Sequence, residues 1–445
     1  MWVLTMCWAA LLEFLMFTAV GAGILFLCLK KTRRDSIYIY LSLMLVYGCY
    51  VFFCHYIRCK NGWEIIGSLD GGGYYIPCTQ ELSELNSWRE IWTTTWEVTR
   101  YRPGGAIFFY FVPIKYMADW LDTDLHLALQ ISLMPFAAMI CVVEYRILRL
   151  FDLDERTARR WSIWFGILSS LFWLSSFIVR DLSICLAYAV VTCLIFSKAS
   201  HSWKLLAGAA MAVVAASIRL ASGMGLVPLV LLAVFGDSKH KTIKTWQTVC
   251  CIAITIAIMV GYGFIDELNE VSQSYFTIEM EDQGGDSTLS SFNVLPFGIS
   301  HAVKTLYAQF HPIPAWRYMD PFPPSGARLY AFNVTHFPDL WVVFFRITAV
   351  VTLFYGCFKK QIRQKIFENK LLLYSCAYAL LLLCAQASTI EERRKLAVYP
   401  LLLIPIVLTW NEIPSLSRKR IVLLSLFLFL SIQLVFLIRP FFTGA

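Results

Sequence analysis

Charge is what this sequence has least of. Of its 445 residues, 15% are Asp, Glu, Lys or Arg, against 58% hydrophobic and 16% aromatic. A soluble chain of this length needs far more charge on its surface, so a large soluble domain is excluded. The net charge of +8 has neither a phosphate-binding glycine loop nor a basic helix face beside it, which argues against nucleic acid as a partner. Its Lys and Arg residues instead form short clusters between apolar runs, where the positive-inside rule puts them. None of the fourteen cysteines is paired at zinc spacing. Most, such as Cys7, Cys28, Cys141 and Cys185, lie in apolar segments where a thiol packs as a small hydrophobe. Cys59 and Cys78 flank the first polar loop and could form a disulfide if that loop faces an oxidising compartment. The first 28 residues lack a basic start, and Lys30-Lys31-Thr32-Arg33-Arg34 follows them. That order marks a signal anchor or first span whose C-terminal end is cytoplasmic. No internal repeat of fixed period is visible.

What is present is a series of apolar runs. A helical span needs about 20 apolar residues, and runs of that kind recur at 4–28, 37–57, 127–150, 161–179, 182–197, 203–218, 221–236, 246–264, 341–358, 371–389, 396–410 and 420–438. The expected fold is all-α, a polytopic bundle of about twelve spans in one membrane domain over residues 1–445. The basic clusters at 30–34, 146–160, 198–204, 239–244, 359–370 and 418–420 then lie inside, which leaves loops 58–126 and 265–340 outside. This assignment requires that 105–121 does not cross, because a crossing there would put Arg146 to Arg160 outside. Pro113, Lys115 and Asp119 interrupt that segment, and it is expected as an interfacial helix. Loop 58–126 carries Trp63, Trp88, Trp92, Trp96 and Trp120, which favour the membrane interface. Loop 265–340 begins acidic and ends rich in proline and aromatics, around His311 to Trp316 and Asp320 to Pro324.

Chemistry-bearing residues concentrate at the outer ends of these runs. Asp70 stands in Gly67-Ser-Leu-Asp70-Gly-Gly-Gly-Tyr74-Tyr75, where three glycines let the backbone approach another group closely. A carboxylate there can take a proton from a hydroxyl nucleophile or hold a divalent metal; it can also be a solvated Asp-Gly turn. Arg180-Asp181 separates two apolar runs, either as an interfacial cap or as an Arg that meets a lipid phosphate with Asp181 orienting it. Arg219 lies at an outer edge, where a charge snorkels or faces a partner. Glu391-Glu-Arg393-Arg394-Lys395 is the basic cluster that the topology places outside, which suits an anionic headgroup or substrate phosphate unless the two glutamates neutralise it.

This order of features resembles the membrane-embedded glycosyltransferases of the GT-C fold. In that family the first large outer loop carries an acidic residue shortly before a Tyr, as Asp70 and Tyr74 do. An amphipathic helix introduced by Pro follows, as after Arg102-Pro103. Next come a span pair with a polar turn, as at Arg180-Asp181, and an Arg before a later span, as at Arg219. Near the C-terminus an Arg cluster precedes Tyr399-Pro400 and an apolar run. The sequence departs from the family in having one acidic residue in the first-loop motif, Arg-Asp at the later turn, and an extra N-terminal span.

The resemblance implies sugar transfer from a polyprenyl-(pyro)phosphate donor to a saccharide or lipid-linked acceptor at the outer face of a bacterial cytoplasmic membrane. It implies Asp70 as the base, and Arg180, Arg219, Arg393 and Arg394 as ligands of the donor phosphate. Tyr74, Tyr75, Asp181, His311 and Trp316 would hold substrate, with membrane lipids as surroundings and a divalent metal left open. A polymerase joining lipid-linked repeat units fits the same layout. A transporter or flippase would instead place ionisable groups at mid-membrane, where these runs carry few.

Overall fold

The computed structural model describes residues 2–29, 32–62, 74–97, 104–237, 299–313, 334–385 and 395–443, with a few further positions between 243 and 315. Those residues are helical, and no strand occurs among them. Among the described residues, five helices are long and apolar enough to cross a membrane: Trp8–Cys28, Arg33–Asn61, Leu125–Leu150, His201–Ile218 and Asp339–Phe358. Shorter apolar helices occupy Asp181–Phe196, Leu220–Phe235, Lys370–Cys384 and Leu396–Glu412. The expected run at 246–264 lies almost wholly outside the described residues. Prolines within these segments, Pro135 and Pro228 among them, are tolerated because neighbouring groups re-satisfy the freed backbone in a bundle.

The helices pack as two units. The first comprises residues 1–187, 213–220 and 316–338. Its centre is α2 (Arg33–Asn61) against α6 (Leu125–Leu150), with α1 (Trp2–Cys28) and α7 (Glu155–Leu168) alongside. Tyr40 and Tyr47 on α2 are fully buried, and each hydroxyl donates to a carbonyl, Phe17 O at 3.1 Å and Gly166 O at 3.0 Å. A phenol can be buried in this way only if its hydroxyl finds such a partner. α2 stops at Gly62, whose φ of 65° is the left-handed conformation a helix end needs and a side chain resists. α6 starts at Asp124, whose carboxylate accepts from Leu127 N at 3.0 Å. Such an N-cap is worth about 1 kcal/mol.

Between α2 and α6 stand α3 (Ile76–Ser83), α4 (Trp88–Glu97), a π turn (Ile107–Phe111) and α5 (Val112–Leu121). The last two together occupy the segment for which an interfacial helix was expected, and neither is among the helices that are long and apolar enough to cross a membrane. Pro113 directly follows the π turn, where the hydrogen-bond ladder is already shifted around its missing N–H. Trp88 and Trp92 pack edge-on against Phe108, and both tryptophans, with Phe109 and Trp120, remain exposed. Cys59 is exposed and Cys78 buried, and no disulfide joins them.

One expected span has a different form. The run 161–179 contains Ser169-Ser170 and Ser175-Ser176, and the helix breaks at both pairs. α7 ends at Leu168, and only a single turn, α8 (Leu171–Leu174), follows. The serine hydroxyls return to local carbonyls, Ser169 to Phe165 O at 2.5 Å and Ser175 to Phe172 O at 2.6 Å. Serine competes with the helix ladder in this way. Residues 174–179 are buried, so irregular backbone here runs through protein, as membrane proteins permit.

The second unit comprises residues 188–212, 221–315 and 339–445. It holds α10 (His201–Ile218) up to residue 212, α11 (Leu220–Phe235) from residue 221, α12 (Ile299–Phe310) and α13 (Asp339–Phe358). α14 (Lys360–Glu368), α15 (Lys370–Ala385), α16 (Tyr399–Glu412) and α17 (Ser415–Thr443) complete it. Arg346 on α13 is buried, and its guanidinium donates to Ala308 O at 3.3 Å and His311 O at 2.8 Å. A charge inside an apolar helix is thereby spent on the open carbonyls at the end of α12.

Candidate functional site

The first unit brings together residues distant in sequence. The irregular stretch 175–180 ends at Arg180, and α9 (Asp181–Phe196) begins at the next residue. α10 ends at Ile218, and α11 begins at Leu220, which leaves Arg219 as the junction. The two junctions clasp each other reciprocally. Arg180 Nη1 donates to Ile218 O at 3.1 Å, and Arg219 Nη1 pairs with Asp181 Oδ1 at 2.9 Å. Asp181 is 3% exposed on its side chain and Arg219 19%. Asp181, expected to orient its neighbour Arg180, reaches across the junction to Arg219 instead. Arg180 is half-buried, with its Nε buried and unbonded.

A third segment closes on this clasp. Gly105 lies against the backbone of Ser217, so near that a Cβ would stand 2.4 Å from Ser217 O. Gly105 opens the turn leading to Phe111, and Phe111 packs edge-on against Tyr75 at 5.1 Å between centroids. Tyr74 packs in turn on Tyr75 at 5.2 Å. The tyrosines that follow the Asp70 motif are thus joined through the π turn to the Arg219 junction. Tyr75 is buried and Tyr74 half-buried.

The same unit holds a set of polar contacts outside the expected site residues. Arg58 on α2 pairs with Asp124 at 2.6 Å. His126 and Gln130 are one turn apart on α6 and bonded at 3.1 Å, and Gln130 donates to Ser176 O. His336 is buried against Trp173 and Phe177, at 6.1 and 5.3 Å between ring centroids. The turn Val334–His336 carrying it is held by Tyr50 Oη, which donates to Thr335 O at 2.5 Å. Burial pushes the Asp124 carboxyl up, but the Arg58 charge, its hydrogen bond and the Leu127 N–H outweigh burial, so the net shift is below the usual carboxylate range. One signal was available: a His and a Gln four apart on one helix share a face. His126 stands one residue before the apolar run 127–150, so hydropathy alone does not single it out.

Residues 99–317 match glycosyltransferase family 87, a family of GT-C-type membrane glycosyltransferases. This chain is a glycosyltransferase. The matched segment contains both arms of the clasp, Gly105, Asp124 and His126, and it covers nearly half of the enzyme. No curated protein and no solved structure matches the chain.

Other expected site residues are placed as follows. Asp70, Trp316, Arg393 and Arg394 lie outside the described residues. His311 belongs to the second unit and is buried, and its carbonyl accepts from Arg346. Lys395, next to the two arginines, is buried where the turn Leu396–Val398 begins. Among the described residues, no three His, Cys, Asp or Glu side chains stand together as a metal site.

Proposed function

We propose that the glycosyltransferase uses a polyprenyl-(pyro)phosphate-linked sugar and transfers it to a saccharide or lipid-linked acceptor at the outer membrane face. The clasp of Arg180 and Arg219 supports this reading most directly. Two guanidinium groups are held at helix junctions, and one is oriented by a buried carboxylate. Charge that develops on a departing phosphate is best met by donors fixed in advance. Arg suits the task because its fork binds phosphate oxygens in pairs and stays protonated.

In the proposed reaction an acceptor hydroxyl oxygen attacks the anomeric carbon of the donor sugar. The bond from that carbon to the phosphate oxygen breaks, and the electron pair leaves with the polyprenyl phosphate. Asp70 takes the hydroxyl proton. Arg180 and Arg219 stabilise the phosphate, with Arg393 and Arg394 as further candidates. Tyr74, Tyr75, Asp181, His311 and Trp316 are proposed to bind or orient substrate. The basic clusters support about twelve spans with the site outside, and a bacterial cytoplasmic membrane suits such a donor.

The test is turnover by purified protein in liposomes, read as release of polyprenyl phosphate from a polyprenyl-phosphate sugar. Asp70→Asn keeps size and hydrogen bonding but removes the base, and should slow transfer by about 10²- to 10⁴-fold. Transfer at the parental rate by that variant would end the assignment of Asp70.

A further inference from the structure

A second basic site lies within the second unit and is lined by none of the residues assigned to the transfer reaction. The link between α9 and α10, the end of α11 and residues 243, 244 and 247 line an open cavity of about 600 Å³. Lys198, His201, Lys204, Lys244 and Gln247 line it with one opposing carboxylate, Asp237. Three lysines against one aspartate leave a formal charge of +2 with His201 neutral. Lys204 is 2% exposed, and its Nζ reaches Ile195 O at 3.5 Å, the outer limit of a hydrogen bond. An ammonium carries three donors and is costly to bury with so little bonding. Asp237 is the carboxylate that acts on Lys204, and the remaining excess of lysines in the lining suits an anion.

The surroundings indicate what carries the anion. Trp203 and Trp246 flank the lining residues and are 57% and 59% exposed. Tryptophans left exposed in a membrane protein mark the interface level. From Trp203, one face of α10 continues through Leu206 and Ala210, all exposed. Spacings of three and four residues put these on a single stripe pointing to lipid. A phosphate in the cavity therefore has an apolar track next to it, which a free ion does not need. The charge rule puts residues 198–204 and 239–244 on the cytoplasmic side, where anionic lipids attract basic segments.

We propose that this cavity binds the phosphate of an anionic phospholipid from the cytoplasmic leaflet, with its acyl chains along the Trp203–Leu206–Ala210 stripe. Lys198 and Lys244 hold the headgroup at the mouth, and Lys204 meets it from inside. Binding is read without any activity measurement, so the proposal stands or falls apart from the transfer reaction.

The experiment is native mass spectrometry of the full chain in detergent, titrated with phosphatidylglycerol and, separately, with phosphatidylcholine. The parent should prefer the anionic lipid. Lys198→Gln with Lys244→Gln should weaken phosphatidylglycerol binding about tenfold or more. Both lysines are exposed, so folding should survive, with an unchanged melting temperature. Lys360→Gln, an exposed lysine on α14, should change nothing. Unchanged phosphatidylglycerol binding in the double variant would overturn the proposal, as would an equal loss in Lys360→Gln. Displacement of the lipid by millimolar inorganic phosphate would overturn the lipid assignment and leave a free-phosphate pocket.

Discussion

At the scale of single residues, the Arg180–Ile218 and Arg219–Asp181 contacts do different work. Arg180 spends one nitrogen on a carbonyl and keeps the rest of its fork, so of the two it is the stronger candidate for the proposed phosphate contact. Arg180→Lys retains the charge and loses paired donation. In the liposome assay it should lower kcat while the melting temperature stays near that of the parent; equal turnover would remove Arg180 from the phosphate site. Asp181→Asn should act differently, because it leaves Arg219 facing a neutral, buried partner. Breaking a pair of this kind costs about 3–5 kcal/mol, less here since Arg219 is partly exposed. Gly105 tests the packing of the same junction. Gly105→Ala must displace Ser217 backbone, and overpacking of this sort costs about 1–3 kcal/mol. A lowered melting temperature with reduced transfer is expected, whereas Gly23→Ala, with open space around the added carbon, should be silent.

At the scale of elements, α6 is anchored at its start by Asp124. Its carboxyl is held below the ordinary range, so the folded state favours the ionised form. The stabilisation is therefore present above the unfolded carboxylate pKa of about 3.9 and is lost as pH falls through the lower folded value. Thermal melts in detergent should show Asp124→Asn less stable than the parent at neutral pH, with the gap closing in strong acid. A gap that persists unchanged into strong acid would mean that the charge contributes little. The broken helix after α7 depends on α6 as well. Gln130 supplies the donor for Ser176 O in a stretch without a helical ladder. Gln130→Leu should cost about 1–3 kcal/mol by orphaning that carbonyl, seen as faster proteolysis or a lower melting temperature.

At the scale of the whole molecule, the arrangement of charge makes one demand on the membrane. If 105–121 lies on the surface, residues 151–154 between α6 and α7 face the cytoplasm. A tag after Arg156 and one after Lys360 should both be shielded from an impermeant reagent added outside intact cells. Labelling of the first tag from outside would reverse the topology and move the Arg180–Arg219 clasp to the other face.

The helical class, most run positions and the basic clusters follow from composition and spacing alone, because bilayer thickness and the positive-inside rule act on local sequence. The GT-C resemblance was legible for the same reason, as an ordered set of short motifs on the loops between runs. Pairing was not legible. Arg180 and Arg219 were each visible as cations at an edge, but only tertiary packing decided that Asp181 serves Arg219 rather than its neighbour. The break in 161–179 was hidden because hydropathy averages over four serines, whereas helix continuity depends on where each hydroxyl finds an acceptor. Arg58, Asp124, His126 and His336 went unremarked because each is ordinary alone. Their significance lies in contacts across 66 residues for Arg58–Asp124 and 285 for Tyr50–Thr335, and local sequence carries no record of such distances.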